Sequence, residues 1–258
     1  MSFLPGIFGE GLSGGRVLNE EIRPLVGEDL RIIQKPGHYR FGLEAVLLAN
    51  MVGGRSGLRA ADLGSGDGVI PLLLAYKKRM RVTGYEIQKS LVEMARKSCA
   101  LNKLEGLVEI RQQDIREIPG DIRAGTFDLV TANPPFFSPD EGRISPKKEI
   151  ALARHELACT LEDVMTAASH LLKEGGDFYL AHRPDRLAEI FSCCQKAKLE
   201  PKVLQPVQPR PGEEANIVLL RCRRGGKTGL KLKAPLSVYQ GSDYSHEMRA
   251  IYRGEEKP

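Results

Sequence analysis

The sequence predicts a doubly wound α/β domain on a mostly parallel sheet, and three features carry that prediction. From about residue 59, apolar runs of strand length alternate with runs of helical spacing. Strands that alternate with helices form βαβ units, whose right-handed crossovers place a parallel sheet between two helical layers. The first of these strands runs straight into a glycine-rich turn that opens a helix, and polar residues then close successive strands. In such sheets the carboxyl ends of the strands are where ligands bind.

The elements follow in order. LRAADL (58–63) is a short apolar strand, VIPLLLAYKKR (69–79) a helix, and RVTGYEI (81–87) alternates as a strand does. KSLVEMARKSCALNK (89–103) has helical spacing, VEIRQQD (108–114) and FDLVTAN (127–133) read as strands, and LEDVMTAASHLLKEGG (161–176) as a helix stopped by its glycine pair, before the strand DFYLAH (177–182). Residues 1–30 are expected to be a loose or partly helical extension, with one domain spanning 31–258. Within it, 31–57 hold a loop and an apolar helix, 58–224 the core, and 225–258 a basic hairpin and tail. NIVLLRCRR (216–224) and LKLKAPLSVY (230–239) are its expected closing strands, joined by GGKTG.

Composition narrows the function classes. With 41% hydrophobic and 28% charged residues among 258, the chain has the makeup of a globular protein with a substantial core. No apolar run approaches the roughly 18 residues of a membrane span, and the amino terminus lacks a signal-peptide pattern, so no membrane partner and a cytoplasmic location are expected. Cys99, Cys159, Cys193, Cys194 and Cys222 are odd in number and form no C-x-x-C pair, which favours free buried thiols over disulfides or a metal site. A net charge of +5 permits an anionic partner without demanding one.

The turn after the first strand is Asp62-Leu63-Gly64-Ser65-Gly66-Asp67-Gly68. Glycines there let the backbone turn tightly and approach a ligand. A dinucleotide fingerprint would need its third glycine at 69, where Val69 stands. The spacing instead resembles motif I of class I S-adenosylmethionine methyltransferases, whose loop packs on the methionine and ribose of the cofactor. That resemblance implies a Rossmann-like, seven-stranded sheet, with Asp62, Gly64, Ser65, Gly66 and Gly68 lining the cofactor. Glu86 closes the second strand, placed to accept from ribose hydroxyls. Asp114 closes the third, placed to accept from the adenine amino group, with Ile87 and Ile115 as apolar faces for the ring. A glycine turn alone is compatible with a plain structural turn; the ordered set of loop, Glu86, Asp114 and Asn133 is not readily so.

TANPPFF (131–137) then puts two prolines and two phenylalanines where a polar turn is expected. Asn133-Pro134-Pro135-Phe136 is similar to the N-P-P-[FYW] motif of methyltransferases that act on exocyclic or amide nitrogens. An adenine amino nitrogen is a poor nucleophile because its lone pair is delocalised into the ring. The resemblance implies that the Asn133 side-chain oxygen and the Pro134 carbonyl accept its two hydrogens and turn the lone pair toward the methyl group. Pro134 and Pro135 stiffen the backbone. Phe136 stacks on the extruded base, with Phe137 grouped beside it as a substrate contact. Covalent pyrimidine C5 chemistry is disfavoured, since no cysteine follows a proline.

HYRFGLEAVLLANMV (38–52), ADLGSGDG, VTANPPFF, ARHELACTLEDV (153–164) and VYQGSDYSHEMRAIYRG (238–254) together resemble bacterial tRNA1(Val) adenine N6-methyltransferases. By that resemblance the cofactor is S-adenosylmethionine and the substrate tRNA, at the adenine 3′ of the anticodon, with no metal. Tyr39, Arg40, Phe41 and Gly42 would wall the cofactor, and Arg154 and His155 would lie near the target base. Lys231 and Lys233, in a basic run from 221 to 233, are candidate phosphate contacts, or else a hairpin's charged edge. A protein glutamine N5-methyltransferase and an rRNA guanine N2-methyltransferase share the motif and stay open as alternatives, as does monomer against homodimer.

Overall fold

The computed structural model describes residues 20–27, 29–34, 42–134 and 159–253. Its core is the expected alternation: β3 (Arg59–Leu63), α2 (Val69–Lys78), β4 (Arg81–Glu86), α3 (Lys89–Leu101), β5 (Val108–Gln112), α4 (Ile118–Asp121) and β6 (Phe127–Ala132). Then come α5 (Leu161–Leu171), β7 (Leu172–His182), α6 (Leu187–Lys196), β8 (Leu199–Gln208) and β9 (Ile217–Arg224). Before the core stand β1 (Glu21–Val26), β2 (Leu30–Gln34) and α1 (Leu43–Met51). After it stand the two-residue strands β10 (Lys231–Leu232), β11 (Leu236–Ser237), β12 (Tyr239–Gln240) and β13 (Asp243–Tyr244), with α7 (His246–Arg253) last.

The sheet order is β10-β8-β9-β7-β6-β3-β4-β5, with β11 also on β8. Strands β3 to β7 pair in parallel, while β9 runs antiparallel to both β7 and β8. The seven strands from β8 to β5 are the sheet the motif resemblance implies; β10 and β11 extend its edge. One face is covered by α1, α2, α3, α7 and the β1–β2 hairpin, the other by α4, α5 and α6, and each interface has its own apolar cluster. Helix α1 buries Ala45 to Ala49 in succession. A helix apolar on every side is one covered on every side.

Three expectations are corrected, and one unassigned stretch is filled. Residues 21–26 form a strand, not a loose or helical extension, because they pair with 30–34, whose Leu30 and Ile32 alternate into the first apolar cluster, and so complete a hairpin. Helix α5 stops at Leu171, short of the glycine pair. Leu172 turns extended to pair with Phe127, and the register then jumps to Leu129 opposite Asp177, so the glycines serve a bulge. At Gly176 a Cβ would stand 3.0 Å from the Asp128 carbonyl oxygen, which no side chain tolerates easily. The basic segment is not a hairpin: β10 pairs in parallel with β8, not with β9. Finally, β8 and α6 occupy a stretch that the sequence pattern leaves unassigned. Pro201 and Pro206 disguise β8, since proline argues against a central strand. Pro201 sits at a register shift, and Pro206 falls in the gap between the β10 and β11 pairings, where no N–H is required.

Cys99, Cys193, Cys194 and Cys222 are free and buried as expected, whereas Cys159 is half-buried. No helix among the described residues is long and apolar enough to cross a membrane.

The hairpin is docked by side chains that imitate a strand. Asn102, just after α3, accepts from the Arg31 amide at 2.9 Å and donates to the Arg31 carbonyl at 2.6 Å, while Ser98 Oγ accepts from the Ile33 amide at 3.0 Å. Asn102→Ala is expected to lower unfolding stability by about 1–3 kcal/mol in urea titration, for backbone groups left to find water. Amide hydrogen exchange should quicken at Arg31 and Ile33 while β3 and β6 keep their protection.

Candidate functional site

Register assembles the site. Leu63 lies opposite both Tyr85 of β4 and Ala132 of β6, so the next residue on each strand, Gly64, Glu86 and Asn133, falls in one row. At about 4.8 Å per strand, Glu86 and Asn133 flank the glycine loop roughly 10 Å apart.

The loop is folded around Glu86. The Gly64 and Ser65 amides both donate to the Tyr85 carbonyl at 2.9 Å, and the Gly66 amide donates to Glu86 Oε2 at 2.9 Å. The other carboxylate oxygen accepts from the Gln88 amide at 2.8 Å. Gly64, Gly66 and Gly68 all have positive φ, at 69°, 56° and 90°. Only glycine adopts these without strain. A Cβ on Gly64 or Gly66 would meet nothing within 4 Å, so those backbones face open space, whereas on Gly68 it would stand 3.0 Å from the Ala95 Cβ and push α3 away. Gly84, in mid-strand, admits Ser65: a Cβ there would be 2.8 Å from Ser65 Oγ.

Three acids crowd this loop. Asp62 is buried, its Oδ1 accepting from Thr131 Oγ1 at 2.6 Å across the β3–β6 pair. Burial lifts its carboxyl to about 7 against the opposing Thr131 hydrogen bond, and the nearby Glu86 charge adds to the rise. Asp67 accepts from Gln34 Nε2 of the hairpin at 2.6 Å, and burial lifts it to about 6. The described loop from 62 to 68 carries no lysine or arginine. Such a cradle disfavours phosphate and suits a cation.

Two polar atoms of the loop and the row are buried without a hydrogen-bond partner among the described residues, Ser65 Oγ and Asn133 Oδ1. An orphaned amide oxygen costs about 1–3 kcal/mol, and its retention marks a position where a donor is to arrive.

Other expected residues are placed less centrally. Ile87 is 40% exposed beside Glu86, an available apolar face. Strand β5 ends at Gln112, so Asp114 lies two residues beyond the strand it was expected to close. Its carboxylate is gripped by Arg116 through the backbone amide at 2.9 Å and Nε at 3.0 Å, which holds it below the usual carboxylate range. Ile115 packs partly into the second cluster. Gly42 caps α1 with the Glu44 carboxylate folded against it, and burial raises the Glu44 carboxyl. Lys231 and Lys233 are exposed at the β10 edge, four strands from β6, roughly 19 Å along the sheet. Tyr39, Arg40, Phe41, Pro135, Phe136, Phe137, Arg154 and His155 lie outside the described residues. Thr131, Gln34 and Asp67 were not singled out in the sequence. Asp67 could have been, as an acid inside the loop; the other two are chemically ordinary until the strands meet. A basic depression of about 460 Å³ lined by Arg59, Arg123 and Lys173 lies at the opposite ends of β3 and β6, away from the glycines and strand-end acids.

A family model described as "Methyltransferase domain" matches residues 55–219. The chain is 31% identical over 191 residues to the tRNA1(Val) (adenine(37)-N6)-methyltransferase of Porphyromonas gingivalis, covering 71% of this chain and 74% of that protein. Identity is 29% over 188 residues to the protein of the same name from Aeromonas hydrophila, covering 72% and 77%. Among solved structures, a predicted O-methyltransferase from Agrobacterium tumefaciens matches with a TM-score of 0.66 at 25% identity, covering 81% of this chain and 95% of that one.

The raised Asp62 carboxyl fixes a sign. Because folded Asp62 titrates near 7 and an unfolded aspartate near 3.8, the folded state binds the proton more tightly. Its contribution therefore falls as pH rises from about 4 to about 7 and then levels. Urea unfolding of the ligand-free protein at pH 5, 6, 7 and 8 should show a shallower decline in Asp62→Asn than in the wild type.

Proposed function

We propose, from the premise that this chain belongs to the methyltransferase-domain family and to its tRNA1(Val) (adenine(37)-N6)-methyltransferase branch, that it methylates N6 of an adenine in tRNA. The target is the adenine immediately 3′ of the anticodon of tRNA1(Val), and the methyl donor is S-adenosylmethionine. The observation that carries the reading is the Asn133 oxygen, buried and without a partner among the described residues at the end of β6, directly before Pro134.

The residues fit the cofactor. Its charges are a sulfonium, an ammonium and a carboxylate, and the loop offers acids on two sides with open glycine backbone between them. In this reading Gly64, Ser65, Gly66 and Gly68 cradle the methionine part, and Asp62 stands beneath it. Glu86 accepts from the ribose hydroxyls, and Ile87 and Ile115 enclose the adenine, with Asp114 at its rim sharing its carboxylate with Arg116. Arg40, Phe41 and Gly42 wall the other side. When bound, the cofactor supplies an electrophilic methyl group on a good leaving group.

The chain's own residues then act on the amine. Asn133 Oδ1 accepts one N6 hydrogen and the Pro134 carbonyl the other, which draws the nitrogen toward tetrahedral geometry. Because no described residue occupies the desolvated Asn133 oxygen, an incoming donor meets a preorganised acceptor. The methylated nitrogen is acidic enough to lose its proton without a strong base. Pro135 stiffens the turn, Phe136 and Phe137 meet the extruded base, and Arg154, His155, Lys231 and Lys233 serve the RNA.

Labelled cofactor and purified protein, supplied with tRNA, rRNA and protein fractions and followed by nucleoside digestion, should put label into N6-methyladenosine of tRNA. Label in protein or in methylguanosine would reject the assignment. Asn133→Ala is expected to lower kcat on tRNA by about 10²–10³ with cofactor affinity retained, the loss typical of one preorganised transition-state partner. Turnover close to wild type would remove Asn133 from the mechanism.

A further inference from the structure

Resting on the tRNA reading above, we infer that Arg210 and Tyr239, at the head of a column of stacked rings, form a second nucleotide platform for the tRNA loop. The column is built from the tail. Tyr239 stacks on Tyr244 with centroids 5.3 Å apart at 12°, and Tyr244 on Tyr252 at 5.3 Å and 24°. The Arg210 guanidinium lies over the free side of Tyr239, 5.6 Å from the ring centroid.

The inner end is structural. Tyr252 packs partly against the first cluster, and the Gly27 amide of the hairpin donates to its carbonyl at 3.2 Å. The outer end is unlike a core contact, because the Arg210 side chain is 52% exposed. Its contacts, Gly241 carbonyl at 3.4 Å and Glu213 at 3.5 Å, are long, leaving most of its N–H groups to solvent. A planar cation held over a ring presents a face on which a base stacks and an edge that pairs with phosphate.

Position completes the case. The Val238 and Tyr239 amides donate to the carbonyls of Gln208 and Pro209, fixing Tyr239 at the carboxyl end of β8. Strand β8 runs parallel to β6, since β9 opposes both β7 and β8, so this end of the sheet is also the Asn133 end. Three strand spacings, roughly 14 Å, separate β8 from β6. A nucleotide loop with one base drawn out at Asn133 reaches that far within a few nucleotides.

Fluorescence anisotropy of an unmodified tRNA1(Val) transcript tests the platform, with S-adenosylhomocysteine titration and melting temperature as controls. Arg210→Ala and Tyr239→Leu are each expected to raise the Kd for tRNA about 5- to 100-fold, the range for one stacked base. Affinity for S-adenosylhomocysteine should not change. Tyr239→Phe should bind as wild type does, and Arg210→Lys should recover only part of the loss, since it restores charge without the plane. If Tyr239→Leu melts early, the exposed Arg210 decides alone. Wild-type tRNA affinity in a folded Arg210→Ala variant overturns the platform while leaving the tRNA reading intact; no tRNA affinity in the wild type overturns both.

Discussion

The register of β3 between β4 and β6 is the constraint on which this molecule's chemistry depends. One slip of a residue would turn Asp62 away from Thr131 and move Asn133 out of line with Gly64 and Glu86. The register is held because both faces of these strands are buried, with Ala60 and Leu129 facing one apolar cluster and Ala61, Leu63 and Val130 facing the other. The core thus sets a distance that no residue in the row could set alone.

Around that row the protein concentrates negative charge in a place short of water. Burial lifts the Asp62 and Asp67 carboxyls, the Glu86 charge adds to both rises, and directed donors from Thr131, Gln34, Gly66 and Gln88 make the arrangement tolerable. A bound cation relieves this crowding. Affinity for the cofactor and instability without it are therefore two sides of one electrostatic arrangement.

What the sequence discloses and what it conceals divide along a physical line. The glycine loop, Glu86 and Asn133 are legible because their requirements are local: a positive φ, a strand end, a proline after an asparagine. Thr131, Gln34 and Asn102 are not, since each acquires its role from a partner between 33 and 71 residues away. Pro201 and Pro206 mislead because the rule against proline in strands presumes a regular neighbour on both sides, and β8 has only broken pairing on one. The glycine pair at 175 and 176 misleads in the opposite sense, resembling a helix stop while serving a bulge that begins after the helix has ended.

The hydrogen bond from the Gly27 amide to the Tyr252 carbonyl joins two segments that the ribosome makes far apart in time. Between them lie β2, whose Gln34 holds Asp67, and every strand of the central sheet. During synthesis the hairpin turn stays unlatched until α7 has left the exit tunnel, long after the parallel strands can pair. Contacts of such long sequence separation form late. The hairpin that brings Gln34 to Asp67 thus gains this latch last, after the sheet it leans on has formed.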